Sequence, residues 1–156
     1  MINTIRDFET EVLKREFFDY LANLEIIRSM RYQDFASFLL LESDQGFNKG
    51  QDMKAFVDIL KEEFRATDVI GRLNQIRFGV ILPHSDLKGA YIAGERIRQR
   101  IENFFFKERR RRTISIGVAC FPINISSIDL NSIIKMAEDM LKAAKDDGGN
   151  KLYFKE

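Results

Sequence analysis

The sequence has one cysteine, one histidine and two prolines among 156 residues, and its 25 basic side chains nearly cancel its 24 acidic ones. A single thiol, Cys120, cannot close an internal disulfide, so a reducing cytoplasm is the expected setting. Cys120 lies in an apolar, strand-like run, which predicts a buried, inert thiol and not a nucleophile. His84 stands alone after Pro83 with no second ligand in sequence, so no metal role is assigned to it. A net charge of +1 lacks the basic excess of nucleic-acid binders. Nothing at the amino terminus has the pattern of a signal peptide or a membrane span, so no membrane association is expected. No linker, internal repeat or low-complexity tract divides the chain. It reads as a single domain over 1–156, large enough to bury a real core.

Hydrophobic patterning supplies the elements. Glu11 to Arg31 is rich in helix formers, with Leu13, Phe17, Leu21, Leu24 and Ile27 spaced as one apolar face. Phe35 to Leu41 reads as a buried strand that emerges through Glu42, Ser43 and Asp44 into a loop over 45–51. A second helix follows through Phe64, using Phe56, Leu60 and Phe64. Val69 to Leu73 and Phe78 to Leu82 form a hairpin, with Asn74 in the turn because it tolerates positive φ. Asp86 predicts the N-cap of a third helix carrying Ile92, Ile97, Ile101 and Phe104. Phe104 to Phe106 is read as core and helix-end packing, with room for one ring exposed to a partner, and the charged run Lys107 to Arg112 as a solvated connection. A strand over Thr113 to Phe121 precedes a helix capped by Asp129 and stopped by Gly148 and Gly149. Leu152 to Phe154 adds a last strand. This order predicts an α+β fold, a sheet containing antiparallel pairs with helices layered on it.

Four segments carry a family resemblance. Arg65-Ala66-Thr67-Asp68 is followed after five residues by Asn74-Gln75-Ile76-Arg77-Phe78. Asp7, Thr10 and Arg15 fall in an opening motif, Thr113 to Ala119 in a penultimate strand, and Ala137 to Lys145 with Gly148 and Asn150 in a last helix and turn. In this order and spacing they resemble the GGDEF domain family, whose members make cyclic di-GMP from two GTP molecules. The resemblance covers nearly the whole chain and implies the family's nucleotidyl-cyclase-like fold, with a central, mainly antiparallel sheet flanked by helices.

What the resemblance implies for chemistry is mixed. In the family the hairpin segment reads Gly-Gly-Asp/Glu-Glu-Phe and carries catalysis, and Arg-x-x-Asp binds the product as an inhibitor. Joining two GTP molecules needs Mg²⁺ held by oxygen ligands, preferably carboxylates. Glu42 occupies the first carboxylate position, but Ile76 replaces the hairpin carboxylate, and Arg77 brings a cation to the expected metal site. Asn74 and Gln75 replace the glycines that let the backbone approach the nucleotide. The loop after Glu42 is several residues too short for the guanine-reading side chains. Lys145 matches a phosphate-contacting lysine, while the arginine four residues later is Gly149. The resemblance therefore implies no enzyme activity, no metal and no cofactor.

The product-binding parts are present. Arg65, Asp68 and, from the next helix, Arg96 match the family's receptor positions. Arginine can bridge guanine O6 and N7, and a carboxylate can accept from N1–H and N2–H. The reading is a catalytically inactive domain acting as a cyclic di-GMP receptor. The alternative is a nucleotide-independent protein-interaction scaffold. The protein partner is unidentified, and a homodimer stays open.

Overall fold

The computed structural model describes residues 5–47, 50–122 and 128–155. The expected loop over 45–51 falls within this description except at positions 48 and 49. Strands β1 (Leu13–Lys14), β2 (Ala36–Ser43), β3 (Val69–Arg72), β4 (Arg77–Pro83), β5 (Ile114–Phe121) and β6 (Leu152–Phe154) form one sheet in the order β1-β3-β4-β2-β5-β6. The β3–β4, β4–β2 and β2–β5 pairs are antiparallel, and the outer β1–β3 and β5–β6 pairs are parallel. The architecture is α+β with a mixed, mainly antiparallel sheet, as the patterning and the resemblance predict.

Strand β2 organises the core because it is central and buried along its whole length. Alternate side chains of a strand point to opposite faces. Leu39 and Leu41 face helices α2 (Gln51–Glu63) and α3 (Leu87–Asn103). Phe38 and Leu40 face α1 (Arg15–Tyr32) and α4 (Leu130–Asp146). The sheet is thus covered on both faces, two helices to each. Asp86 and Asp129 cap α3 and α4 through their carboxylates, accepting from the N–H groups of Gly89 at 2.9 Å and Ser132 at 2.8 Å. Gly148 and Gly149 follow α4 at φ of 105° and 76°, the left-handed stop expected of them.

One glycine positions a helix. A Cβ on Gly117 of β5 would lie 2.0 Å from the backbone oxygen of Ala137 and 2.6 Å from the backbone nitrogen of Leu141. The α4 backbone therefore rests directly on the strand, which only a residue without a side chain permits.

Several expectations need correction. Helix α1 starts at Arg15 rather than Glu11, because Glu11 has a φ of 65° and Leu13–Lys14 pair with Gly71 and Arg72 as a strand. Its buried residues are Phe18, Ala22, Ile26 and Ser29, while Leu24 and Ile27 are 48% and 60% exposed. The helix is apolar on both sides, and the sheet accepts the face with small Ala22 and with Phe18, whose ring packs on Phe38 at 6.1 Å. In α3, Ile97 and Ile101 are buried as expected, but Ile92 and Phe104 are exposed. Of the three adjacent phenylalanines only Phe106 enters the core, and Arg110 and Arg111 stack over exposed Phe105. Arg112 is not part of a solvated connection. It is buried and ion-paired to Asp52 at 2.8 Å.

Asn74 sits in the hairpin turn, but without positive φ. Its side-chain oxygen instead accepts from the N–H groups of Ile76 (3.0 Å) and Arg77 (2.8 Å), an Asx-type turn. Cys120 is half-buried rather than fully buried, 2.7 Å from the Ser37 hydroxyl. Desolvation and the nearby Asp86 raise its thiol pKa against the Ser37 hydrogen bond, the opposite of what activates a nucleophile. No helix among the described residues is long and apolar enough to cross a membrane.

Candidate functional site

The β3–β4 hairpin carries one cluster of predicted residues at its turn and another at its open end. At the turn, the β2–β4 register places Glu42 directly across from Arg77. Arg77 donates Nε to Glu42 Oε1 at 2.7 Å and approaches Glu138 of α4 at 3.2 Å. Lys145, also on α4, takes the other Glu42 oxygen at 2.5 Å and reaches Asp44 at 3.3 Å. Burial acts to raise the Glu42 pKa, and the hydrogen bonds from Lys145 and Arg77 overcome it, leaving the carboxyl below its ordinary value. Asp44 behaves alike: burial raises it, and Thr113, Ser115, the Asn150 N–H and Lys145 together lower it further.

The remaining turn residues make contacts within the hairpin. Ile76 sits beside Glu42, its carbonyl accepting from the Ser43 N–H at 3.4 Å. Asn74 uses its side chain on the turn itself, and Gln75 and Asn74 give their carbonyls to Arg72. Arg72 in turn pairs with Asp7 at 3.1 Å and Glu9 at 2.6 Å, and Asp7 also accepts from Thr10. The opening motif therefore acts as a clamp between the chain's first segment and the hairpin.

A divalent cation needs carboxylate lone pairs free to face it. Both Glu42 oxygens are already engaged by cations, Ile76 has no oxygen in its side chain, and Arg77 occupies the approach. The residues present do not fit Mg²⁺. Among the described residues no group of three His, Cys, Asp or Glu side chains could hold a metal, and His84 meets only Asp34, at 2.5 Å.

At the open end, Arg65 and Asp68 lie in the turn between α2 and β3. Asp68 Oδ2 accepts the Arg65 N–H at 2.8 Å, which fixes the turn, and its side chain is 3% exposed. Its other oxygen, Oδ1, is buried with no hydrogen-bond partner, the nearest cation being Arg65 Nη2 at 3.6 Å. Arg65 and Arg96 project outward, 66% and 57% exposed. Arg96 of α3 stands 3.8 Å from Glu63. Arg65, Asp68 and Arg96 line one cavity of about 360 Å³, together with Phe64, Leu82 and Ile92. The cavity presents the exposed guanidinium groups of Arg65 and Arg96, with Glu63 and Ser85 beside apolar Phe64, Leu82 and Ile92, and the unpaired Asp68 oxygen lies buried behind Arg65. The arrangement suits a planar ligand with adjacent N–H donors and ring acceptors.

Sequence reasoning did not anticipate that Glu138 and Asp44 join the network at the turn, or that Asp52 pairs with Arg112. Glu138 and Lys145 are seven residues apart, two helical turns on one face of α4, and that spacing was the available signal.

Comparison with known proteins bears on the family and the fold. The family model described as "Diguanylate cyclase, GGDEF domain" matches residues 4–151. The probable diguanylate cyclase DgcT of Escherichia coli K12 is 31% identical over 111 residues, 68% of this chain and 24% of that protein. The chain thus spans a minor part of such curated relatives. Among solved structures, the GGDEF domain of DgcB from Caulobacter crescentus in complex with c-di-GMP superposes with a TM-score of 0.88 at 18% identity, covering 99% of this chain and 94% of that one. Diguanylate cyclase SiaD of Pseudomonas aeruginosa, in complex with its activator SiaC, superposes at 0.85 with 24% identity, over 97% of this chain and 62% of SiaD. At these identities the superpositions show a shared fold.

Proposed function

The chain belongs to the GGDEF domain family, and on that premise we propose that it is a cyclic di-GMP receptor that does not make cyclic di-GMP. The observation that carries this reading is Asp68 Oδ1, a buried carboxylate oxygen without a donor, set beside Arg65 in a cavity that Arg96 also lines. A buried acceptor left unpaired costs about 1–3 kcal/mol. Once the exposed Arg65 side chain swings aside to uncover that oxygen, a guanine edge removes the cost by presenting N1–H and N2–H to the carboxylate while an arginine fork takes O6 and N7. The DgcB relative, solved with c-di-GMP, lends the ligand's identity.

The same premise supports loss of the reaction. Two GTP molecules joined through Mg²⁺ need carboxylates that face the metal, and here Glu42 faces Arg77 and Lys145 instead. A site neutralised by its own cations has no means of stabilising developing phosphate charge through a metal.

Isothermal titration with cyclic di-GMP tests the receptor reading. Wild-type protein is expected to bind, and Arg65→Ala to lose about 2 kcal/mol or more, since it removes a charge-assisted fork. Asp68→Asn is expected to weaken binding too, and Arg77→Ala, at the other end of the hairpin, to leave it unchanged. Binding indifferent to Arg65→Ala moves the ligand elsewhere. No binding at high micromolar ligand leaves the protein-interaction scaffold as the reading.

A further inference from the structure

Helix α1 carries a second apolar face that the described residues leave largely exposed. Phe18, Ala22, Ile26 and Ser29 are buried against the sheet. At 100° per residue, Phe17, Tyr20, Leu21, Leu24 and Ile27 occupy an arc about 120° wide centred opposite to them. Phe17 is partly buried, and Tyr20, Leu24 and Ile27 are 62%, 48% and 60% exposed. No polar side chain interrupts this arc over Phe17–Ile27, and Phe17, Tyr20, Leu24 and Ile27 are spaced three, four and three apart, the repeat of a helix–helix seam. A helix apolar on both sides is ordinarily buried on both sides.

The charges along α1 say what covers it. Arg15 pairs with Asp19, and Arg28 with Glu25 and Asp34, so these side chains are satisfied within the chain. Glu16 in the first turn and Arg31 in the last flank the apolar arc at its two ends, both exposed and without an ion-pair partner among the described residues. Along this arc Glu16 stands at one end and Arg31 at the other, and the one charged side chain between them, Arg28, is turned to Glu25 and Asp34. Such a surface is complementary to itself under a two-fold rotation. A dyad beside Leu24 sets Leu24 against its own copy, Tyr20 level with the partner's Ile27, and Glu16 level with the partner's Arg31. Antiparallel helices also place the dipole ends of opposite sign together.

We infer that the outer face of α1 is a docking surface for a second copy of this chain, packed antiparallel through Tyr20, Leu24 and Ile27 and closed at both ends by Glu16–Arg31 pairs. Tyr20, Leu24 and Ile27 do not line the cavity of Arg65, Asp68 and Arg96, although Leu21 at the edge of the arc borders a neighbouring cavity with Arg65 and Asp68, and the proposal does not depend on the nucleotide reading.

Sedimentation velocity across the micromolar range, on the full chain without nucleotide, tests it. The expected result is a concentration-dependent dimer for the wild type and a monomer for Leu24→Glu, whose thermal melt is unchanged because Leu24 faces out of the fold. Ile27→Lys repeats the test from a second position. Each Glu16–Arg31 contact occurs twice in a two-fold dimer, so Glu16→Arg or Arg31→Glu alone is expected to weaken association about tenfold. The double reversal is expected to restore it, an outcome that a general loss of folding would not produce. A wild type that stays monomeric at the highest concentration, a dimer that survives Leu24→Glu, or a double reversal that does not recover each overturns the proposal.

Discussion

Arg77 and Lys145 hold the two oxygens of Glu42 from different elements, one on β4 and one on α4. Glu42 is thereby a bridge between sheet and helix. Asp52 does comparable work elsewhere, accepting from the N–H groups of Glu108 and Arg109 and from Arg112. Because Asp52 and Arg112 are both nearly excluded from water, removing one strands the other. Arg112→Ala is expected to destabilise the protein by about 3 kcal/mol or more in urea unfolding. Burial raises the Asp52 pKa, but the Glu108 N–H, Arg112 and the Arg109 N–H lower it below its ordinary 3.8. Glu42 lies likewise below 4.5 and Asp44 below 3.8. Below these ordinary values the unfolded chain binds more protons than the folded one, so stability is present above them and is lost as pH falls through the lowered folded values. Urea midpoints measured from pH 6 down to about pH 3 are expected to drop most steeply below about pH 4, and Asp52→Asn to flatten that drop. A midpoint independent of pH over this range would contradict the network.

At the scale of elements, the contact between β5 and α4 is the tightest constraint. Gly117 lets the α4 backbone rest on the strand, and α4 delivers Lys145 and Glu138 to the hairpin turn. Gly117→Ala must push α4 outward, which costs about 1–3 kcal/mol as overpacking against backbone that cannot yield like a side chain. Differential scanning calorimetry is expected to show a lower melting temperature, and a wild-type melt would mean that α4 is free to shift. Helix α1 is the element where periodicity misled. Its spacing marks Leu13, Phe17, Leu21, Leu24 and Ile27 as one apolar stripe, of which the last four form one on α1 while Leu13 belongs to β1. Hydrophobic spacing identifies a face without saying which surface will meet it, and the sheet took the opposite one. The hairpin was better determined, because Asn74 between two short apolar runs leaves few ways to turn. Even there the mechanism differed, a side-chain oxygen holding the turn in place of positive φ.

For the whole molecule, the two ends of one hairpin present contrasting chemistry. The turn end is closed by its own ion pairs, and the open end has a cavity with an acceptor unpaired. Purified protein incubated with GTP and Mg²⁺ or Mn²⁺ is expected to yield no cyclic di-GMP above a control without protein, read by chromatography. Metal-dependent product that persists after Glu42→Ala would show that a different set of ligands carries the reaction.

By itself the sequence determined the family, the order of the elements after β1, and the caps at Asp86, Asp129 and Gly148–Gly149. Each of these is encoded in neighbouring residues or in motifs at set offsets. Arg65 and Asp68 were legible as a pair for the same reason, being three residues apart. Only the tertiary structure decided that Arg96 shares their cavity, that Asp68 keeps an oxygen without a donor, and that Glu42 is claimed by Arg77 and Lys145. It also decided which face of α1 is buried. These facts depend on side chains brought together from far along the chain and on how much water each excludes from the other, and local pattern contains neither.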